Sequence, residues 1–547
     1  MYEFGNYFLS FLRTFFFCHF ASHSAFFEVF FVFLLTFCAC ARSLRSQFYK
    51  AEASFMLKQM STDMDYRAHL KFDFNSLSDS QKNRFKTSSF KDAMTKMMKL
   101  ALDPVRDIIF GIYSNTGRPG LDPAVFLRSF ILMNHFKFTS ISEWVNEASN
   151  DDLYKFLVGT DKMPGISSHY DFINRIMNVD PHRTDLALAG LFLRKNKDKR
   201  TAQLKKNMKW ENCTVNDVSD LVKSYENGAS QDSDRIIYTM QTLFNALCVI
   251  PSIDKGLLDP NGIFSGDGSA LHIHAQSAGH KVIESDDPDA DTTRYSAAGA
   301  NIGWDSDLGQ WYYGFTEYNI SQHNPAAKVD LPVFITLEAA SRHDSLTGVS
   351  AIAQMMDMNQ DLHPKCMCLD SAHDAKPIYS FLIDRHIAPI IDLNKRRMAQ
   401  FKNLVDGEKD YTINENGIPV CRAGHEMAFD GSDYGRMRNK YRCPLRRHNR
   451  NSKKIDSCPF DNCSDSSFGR VVYTFMKDNP RYFGPIPRGS QKYKDIYKNR
   501  TCTERINKRI LNDYCLHSMH VRDYAKIAFF MLVACINIHL DAWIKMK

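Results

Sequence analysis

The spacing of apolar residues changes near residue 260, and that change constrains the fold more than any other feature of the chain. Upstream, apolar residues recur every three or four positions. Phe90–Leu102, Pro104–Ile112, Pro123–Phe136 and Ile141–Ala148 therefore read as helices, with Pro104 and Pro123 in first turns that tolerate proline. His169–Met177 reads as a short helix with an aromatic and basic face, and residues 233–250 as a longer apolar one. Downstream, the pattern alternates or runs in short apolar blocks. Ile263–Ala275, Gln310–Ile320 and Leu331–Ala339 read as strands, and Leu346–Met358 as a helix. Cys366–Leu369 reads as a short buried strand, Ala375–Arg385 as a helix and Ile387–Leu393 as a fifth strand. With 44% hydrophobic and 24% charged residues the chain can fill a large core, so disorder is not the expected state.

Three strands, a helix, a strand, a helix and a strand is the order of an RNase H-like α/β fold. An antiparallel ribbon there passes into a parallel sheet covered by helices. Such a sheet can gather acids from distant segments. Asp267 lies midway along the first strand, in Phe264-Ser-Gly-Asp-Gly-Ser269, where the flanking glycines let a ligand or backbone approach closely. Asp370 lies in Cys368-Leu-Asp-Ser-Ala-His-Asp374, where an apolar strand gives way to a helix. Glu504 opens the helix that runs through Leu511. Singly, each is one acid among 62, and an Asp at a strand end is ordinarily a cap or a turn residue. Together they have the order and element types that phosphoryl transfer asks for. That chemistry uses two divalent ions, about 3.5–4 Å apart, bridged by carboxylates, and Mg2+ prefers oxygen ligands of this kind. Nearby, His373 and Asp374 read as helix-capping residues, with a role in orienting Asp370 or a water as the alternative. Arg342, His343 and Asp344 read as a turn with a local ion pair, and Glu284–Asp291 as a solvated acidic loop.

The net charge is only +7, but its distribution is uneven. Arg194–Lys209 holds eight Lys or Arg against Asp198 alone, Arg436–Lys454 holds nine and no acid, and Arg481–Arg509 holds nine against Asp495 and Glu504. Any one run is accounted for by solvated surface. Three runs, two of them flanking Glu504, favour a polyanionic partner, because Lys and Arg displace the counterions condensed on phosphates.

Ser265-Gly-Asp-Gly-Ser269, Leu369-Asp-Ser-Ala-His-Asp374 and Tyr497-x2-Arg500-x3-Glu504 resemble the catalytic blocks of bacterial insertion-sequence DDE transposases. The likeness is to the branch marked by Tyr-x2-Arg-x3-Glu-x6-Lys, and it covers most of residues 65–547. It implies that Asp267, Asp370 and Glu504 hold two Mg2+ or Mn2+ ions, and that Tyr497 and Arg500 contact DNA near the cleavage point. It also implies double-stranded DNA partners (element ends and target), a homodimer in the synaptic complex, and a cytoplasmic, nucleoid-associated enzyme. One position departs: the family's Lys falls at Leu511, with Lys508 and Arg509 close by as substitutes for its phosphate contact. Two alternatives stay open, an RNase H-fold DNA nuclease without strand transfer and a domesticated, non-catalytic DNA-binding protein.

Cys421, Cys443, Cys458 and Cys463 fall in the basic stretch before Glu504 and form a candidate structural Zn2+ set, with four unligated thiols as the alternative. The fourteen cysteines lack the dense, even spacing of a secreted disulfide scaffold. Arg436, Arg438, Lys440 and Arg442, interleaved with Tyr434 and Tyr441, suit a DNA backbone or a distorted end. Residues 1–41 hold 13 of the 40 phenylalanines, and Glu28 interrupts their apolar run, which argues against a membrane segment. Residues 1–55 read instead as an upstream reading-frame extension, with translation starting near Met56, Met60 or Met64.

The expected organisation is a helical DNA-binding or assembly domain over 56–200 and a basic linker and helix over 201–258. An RNase H-like catalytic core with a mixed five-stranded sheet follows over 259–395, then a basic Cys-rich insertion over 396–490 and the core's C-terminal helices over 491–547. No membrane partner is expected.

Overall fold

The computed structural model describes residues 60–113, 120–177, 191–192, 210–227, 235–277, 280–282, 292–294, 297, 299–394, 411–447, 460, 464 and 469–546. The proposed N-terminal extension, the basic run 194–209 and the acidic run 284–291 lie outside these residues.

The upstream half is helical, as its periodicity predicts. Helix α1 spans Ser88–Lys99 and α2 spans Pro123–His135, the latter started by Asp122, which accepts a hydrogen bond from the Ala124 amide. Helix α3, Arg235–Phe244, continues through a π turn at Asn245–Val249 into Ile250–Asp254.

The sheet has six strands: β1 Ile263–His272, β2 Asn301–Asp305, β3 Gln310–Asn324, β4 Val329–Ala339, β5 Cys366–Leu369 and β6 Ala388–Ile391. Strand β3 is the hub. It runs antiparallel to β1 (Asp267 opposite Asn319), to β4 (Asn319 opposite Ile335) and, through its first residues, to β2. Strand β1 then pairs parallel with β5, and β5 parallel with β6, giving a mixed sheet of order β2–β3–β1–β5–β6 with β4 also on β3. Helix α4, Asp344–Met358, covers one face, and α5, Lys376–Asp384, links the two parallel strands. Helices α6, Thr501–Lys508, and α7, Tyr524–Lys545, cover the other.

The count of five strands is corrected to six. Strand β2 escaped the sequence reading because its pattern is inverted: Ile302 and Trp304 are exposed while Gly303 and Asp305 are buried. Its two apolar residues alternate but face outward, and Asn301, Gly303 and Asp305 around them are residue types that ordinarily mark turns. The sequence reading also assigned no elements to the stretch 396–490. Its described part is β structure: a hairpin of Tyr411–Ile413 with Pro419–Cys421, and an antiparallel sheet of Ala428–Asp433, Arg438–Arg442 and Val471–Phe475.

Two helical stretches, Ile236–Asp254 and Tyr524–Lys545, are long and apolar enough to cross a membrane, but most of their surface is covered by the rest of the protein. The second ties the halves of the chain together. Lys96 of α1, only 1% exposed, reaches Asp541 (2.8 Å) and Asn537 (2.9 Å) on α7. Asn537 in turn donates to Asn134 of α2 (3.0 Å). Removing one partner of a buried ion pair typically costs about 3–5 kcal/mol, because the other charge is left without compensation. Lys96→Ala is therefore expected to lower unfolding free energy by about 3 kcal/mol, measured by urea denaturation. A loss below about 1 kcal/mol would mean that Arg509 and Tyr514 satisfy Asp541 alone.

Candidate active site

The register of the parallel pair β1–β5 brings two of the acids side by side. Ser265 lies opposite Cys368, and Asp267 and Asp370 each stand two residues further on. Helix α6 supplies the third. Cys502, two residues before Glu504, shares with Cys368 a position facing the Ser265 hydroxyl. Three segments, the first and last more than 230 positions apart, thus meet beneath the acids.

The third segment is fixed from both ends. Before it, Arg488 and Tyr493 both donate to the Ile391 carbonyl at the end of β6 (2.6 and 2.8 Å). Within it, Arg505 forms a double contact with Asp330 at the start of β4 (2.6 and 2.8 Å), and Asn507 bonds Asn319 of β3. Arg500 then closes the site: Nη1 lies 3.4 Å from Asp267 Oδ2 and Nη2 lies 2.5 Å from Glu504 Oε1. As placed, no three Asp, Glu, His or Cys side chains among the described residues converge on one point; the guanidinium stands between Asp267 and Glu504.

Side chains at 266 and 268 would point opposite to Asp267, toward α4. A Cβ on Gly266 would fall 2.7 Å from the Tyr318 hydroxyl, and one on Gly268 3.0 Å from Asp344 Oδ1. The glycines read as making room for a ligand thus make room for two side chains of the protein itself. Asp344 is not part of a surface ion pair. It starts α4 facing Asp370 and His373, while Arg342 pairs instead with Glu338 (3.5 Å). His373 is also more than a cap: it is fully buried, with Nδ1 2.5 Å from Asp370 Oδ1 and Nε2 3.0 Å from the Tyr318 hydroxyl. Asp374 accepts from both Nε and Nη2 of Arg481, from the Tyr379 hydroxyl and from the Asn394 amide, fastening the turn at Arg481 beside the site.

Charge crowding sets the electrostatics. Burial, reinforced by Asp370, pushes the Asp267 carboxyl up to about 7. Burial, reinforced by Asp267, pushes Glu317 up to about 8. Glu317 is fully buried beside them on β3, and one of its carboxylate oxygens has no hydrogen-bond partner among the described residues. Burial also raises Asp344, with Asp370 adding to it. Asp370 goes the other way: burial opposes its ionisation, but the bond from His373 outweighs that and holds it below the usual carboxylate range. Burial pulls His373 down, and the bond and charge of Asp370, with Asp344 and Asp267, overcome this and raise it. The donor set is all oxygen, over-supplied with negative charge and partly held in its protonated form. Such a set fits a hard divalent cation better than the lone guanidinium.

No family model matches the chain, and no curated protein matches it.

The remaining site residues distribute unevenly. Tyr497 lies half-buried with Arg500 over its ring (6.0 Å), next to the acids. Lys508 is exposed one turn after Glu504 on the same helix. Arg509 turns inward to Asp541 (2.6 Å), and Leu511, where the family's Lys was expected, is buried in the core. In the insertion, Arg438, Lys440 and Arg442 share one face of a strand whose other face buries Asn439 and Tyr441. Their charge is offset by the neighbouring strand: Asp430 meets Lys440 (3.3 Å) and Arg442 (2.5 Å), and Asp433 approaches Arg436 (3.9 Å) and Arg438 (3.6 Å). Of the candidate zinc thiols, Cys421 packs against the small Met427–Tyr441–Val472 core and Cys443 follows its central strand. Cys458 and Cys463 lie outside the described residues.

The Glu317 shift predicts a pH dependence. An unfolded Glu titrates near about 4.3, so between that value and about 8 the folded protein holds a proton that the unfolded chain releases. The stability associated with that proton is complete below the unfolded value and is lost as pH rises toward the folded one. Asp267 acts in the same direction up to about 7. In chelator, the protein is expected to lose stability from pH 5 to pH 8. Glu317→Gln should flatten the curve, gaining roughly 3 kcal/mol on the wild type over that interval. Parallel curves for the two proteins in thermal or urea denaturation would disprove it.

Proposed function

We propose that this chain is a DDE-type transposase, a divalent-cation-dependent enzyme of DNA cleavage and strand transfer. Its carboxylates are Asp267, Asp370 and Glu504. One observation supports the reading most. The β4–β3–β1–β5–β6 order, an antiparallel ribbon running into parallel strands, is compatible with the order expected of an RNase H-like sheet. Acids stand on its first strand, at the end of the adjacent parallel strand and on a later helix, with Arg500 bridging the first and third. That is the arrangement expected of a two-ion phosphoryl-transfer site.

Mg2+ or Mn2+ bound by these three acids supplies activation of the attacking oxygen and charge neutralisation at the leaving one. The chain's own residues do the rest. Glu504 and Lys508 present one acid and one cation on the same exposed helical face, so a phosphodiester approaching the acids also meets a positive charge. Arg500 and Tyr497 form the wall of the site, a guanidinium and an aromatic ring suited to a phosphate and a base. Arg436, exposed on the turn, and its strand neighbours extend a basic surface for the DNA backbone. The partners are the ends of a DNA element and its target, with a second copy of the chain at synapsis and with access to the nucleoid.

The test is Mg2+-dependent nicking and joining of a duplex carrying the element's own ends. Asp267→Asn, Asp370→Asn and Glu504→Gln should each lower the rate by about a thousandfold, or about 4 kcal/mol of barrier. Circular dichroism of each variant should match the wild type. Cleavage that survives Asp267→Asn would mean that the wrong site has been chosen. Nicking without joining would favour the nuclease reading.

A further inference from the structure

We infer that His373 is a positioning residue that fixes the orientation of the Asp370 carboxylate and is itself held by Tyr318. The inference deepens the proposed function and rests on its reading of Asp370 as a metal-binding acid.

The geometry is that of a relay across three elements. His373 Nδ1 lies 2.5 Å from Asp370 Oδ1, and the Ala372 amide donates to the same oxygen (3.1 Å). Among the described residues both hydrogen bonds on this carboxylate fall on Oδ1, which leaves Oδ2 as the oxygen open to a cation. The far side of the ring is anchored as well, with Nε2 3.0 Å from the Tyr318 hydroxyl on β3. Both side chains are fully buried, which shields the bond between them from water.

The surrounding backbone is cut away to admit the pair. A Cβ on Gly348 of α4 would lie 2.7 Å from His373 Nε2 and 2.8 Å from the Tyr318 hydroxyl, and one on Gly266 of β1 would lie 2.7 Å from that hydroxyl. A histidine that merely filled the core would not need two glycines on two elements to clear a polar contact at its far nitrogen. Partners behind metal-binding side chains fix their orientation, and removing one typically weakens metal affinity about 10–100-fold.

The experiment titrates full-length protein with Mn2+ and follows the free ion by electron paramagnetic resonance, so the readout is binding and not turnover. His373→Ala is expected to weaken Mn2+ binding about 10–100-fold. Tyr318→Phe should weaken it by a smaller factor. His373→Asn, which keeps an N–H near the Nδ1 position, should restore most of the affinity. Melting in chelator shows which variants are folded; should His373→Ala fail to fold, Tyr318→Phe and His373→Asn decide. Wild-type protein that takes up no Mn2+ would overturn the proposed function and this inference together. Wild-type binding that Tyr318→Phe and every folded His373 variant leave unchanged would overturn the inference alone.

Discussion

Carboxylates crowded against one sheet have to be held there against their own repulsion. Asp267, Glu317, Asp344, Asp370 and Glu504 gather around two cationic groups, Arg500 and His373. Burial and mutual repulsion push Asp267, Glu317 and Asp344 upward, which means that assembling the cluster works against folding at neutral pH. The opposing energy comes from elsewhere. One continuous apolar core runs from the helices near residue 60 through the sheet to α7, and polar fastenings such as Arg488 on Ile391 and Arg505 on Asp330 lie outside the cluster. Strain concentrated at one site and stabilisation spread over the rest is what a functional centre looks like in energetic terms.

The sheet was legible because its strands obey the rule that pattern follows burial. Strands β4 and β5 are nearly continuous buried apolar runs, and β1 carries an apolar pair on either side of its Ser-Gly-Asp-Gly-Ser centre. Asp267, Asp370 and Glu504 could be singled out because each sits at a change of local grammar: a charge between glycines, a strand end, a helix start. Asp344 and Glu317 could not. Glu317 lies in an aromatic-rich strand where a lone acid reads as the solvated face, and only the α6 helix packed over it makes that face interior. Asp344 looked like a helix-start residue, which it is; its second role depends on Gly268 across the sheet. One sign was present in the sequence: His373 falls three residues after Asp370, a spacing that turns a histidine back onto a carboxylate at a helix start.

The basic insertion shows the opposite limit. A run of nine cations with no acid describes a polyanion-binding surface only if its neighbours in space are also basic. Strand pairing supplies Asp430 and Asp433 from the preceding strand, and these neutralise part of the stripe before any ligand arrives. Linear charge counts miss this because cross-strand partners sit several residues away in sequence. Screening by such pairs weakens non-specific attraction to DNA, since each phosphate contact must first displace a carboxylate. The exposed Arg436 and Lys508 are less encumbered, so on the proposed function DNA contact would fall more on the insertion's turn and on α6 than on its sheet.

Arg500 lies where these themes meet. Its guanidinium stays charged at any accessible pH, and it spans the oxygens of Asp267 and Glu504 that the proposed metal ions require. Metal ions held by both acids would compete with the guanidinium for these oxygens, so on this reading the arginine would move when metal binds. The displaced group does not have to become solvent-stranded, because Tyr497 lies under it one helical turn away and a phosphate can replace the lost carboxylates. The same side chain would then compensate the acids when the site lacks metal and meet the substrate when metal is bound. On the proposed function, this accounts for an arginine four residues before the third acid better than a fixed structural salt bridge does. A permanent bridge would protect the fold at the expense of the chemistry proposed for the acids.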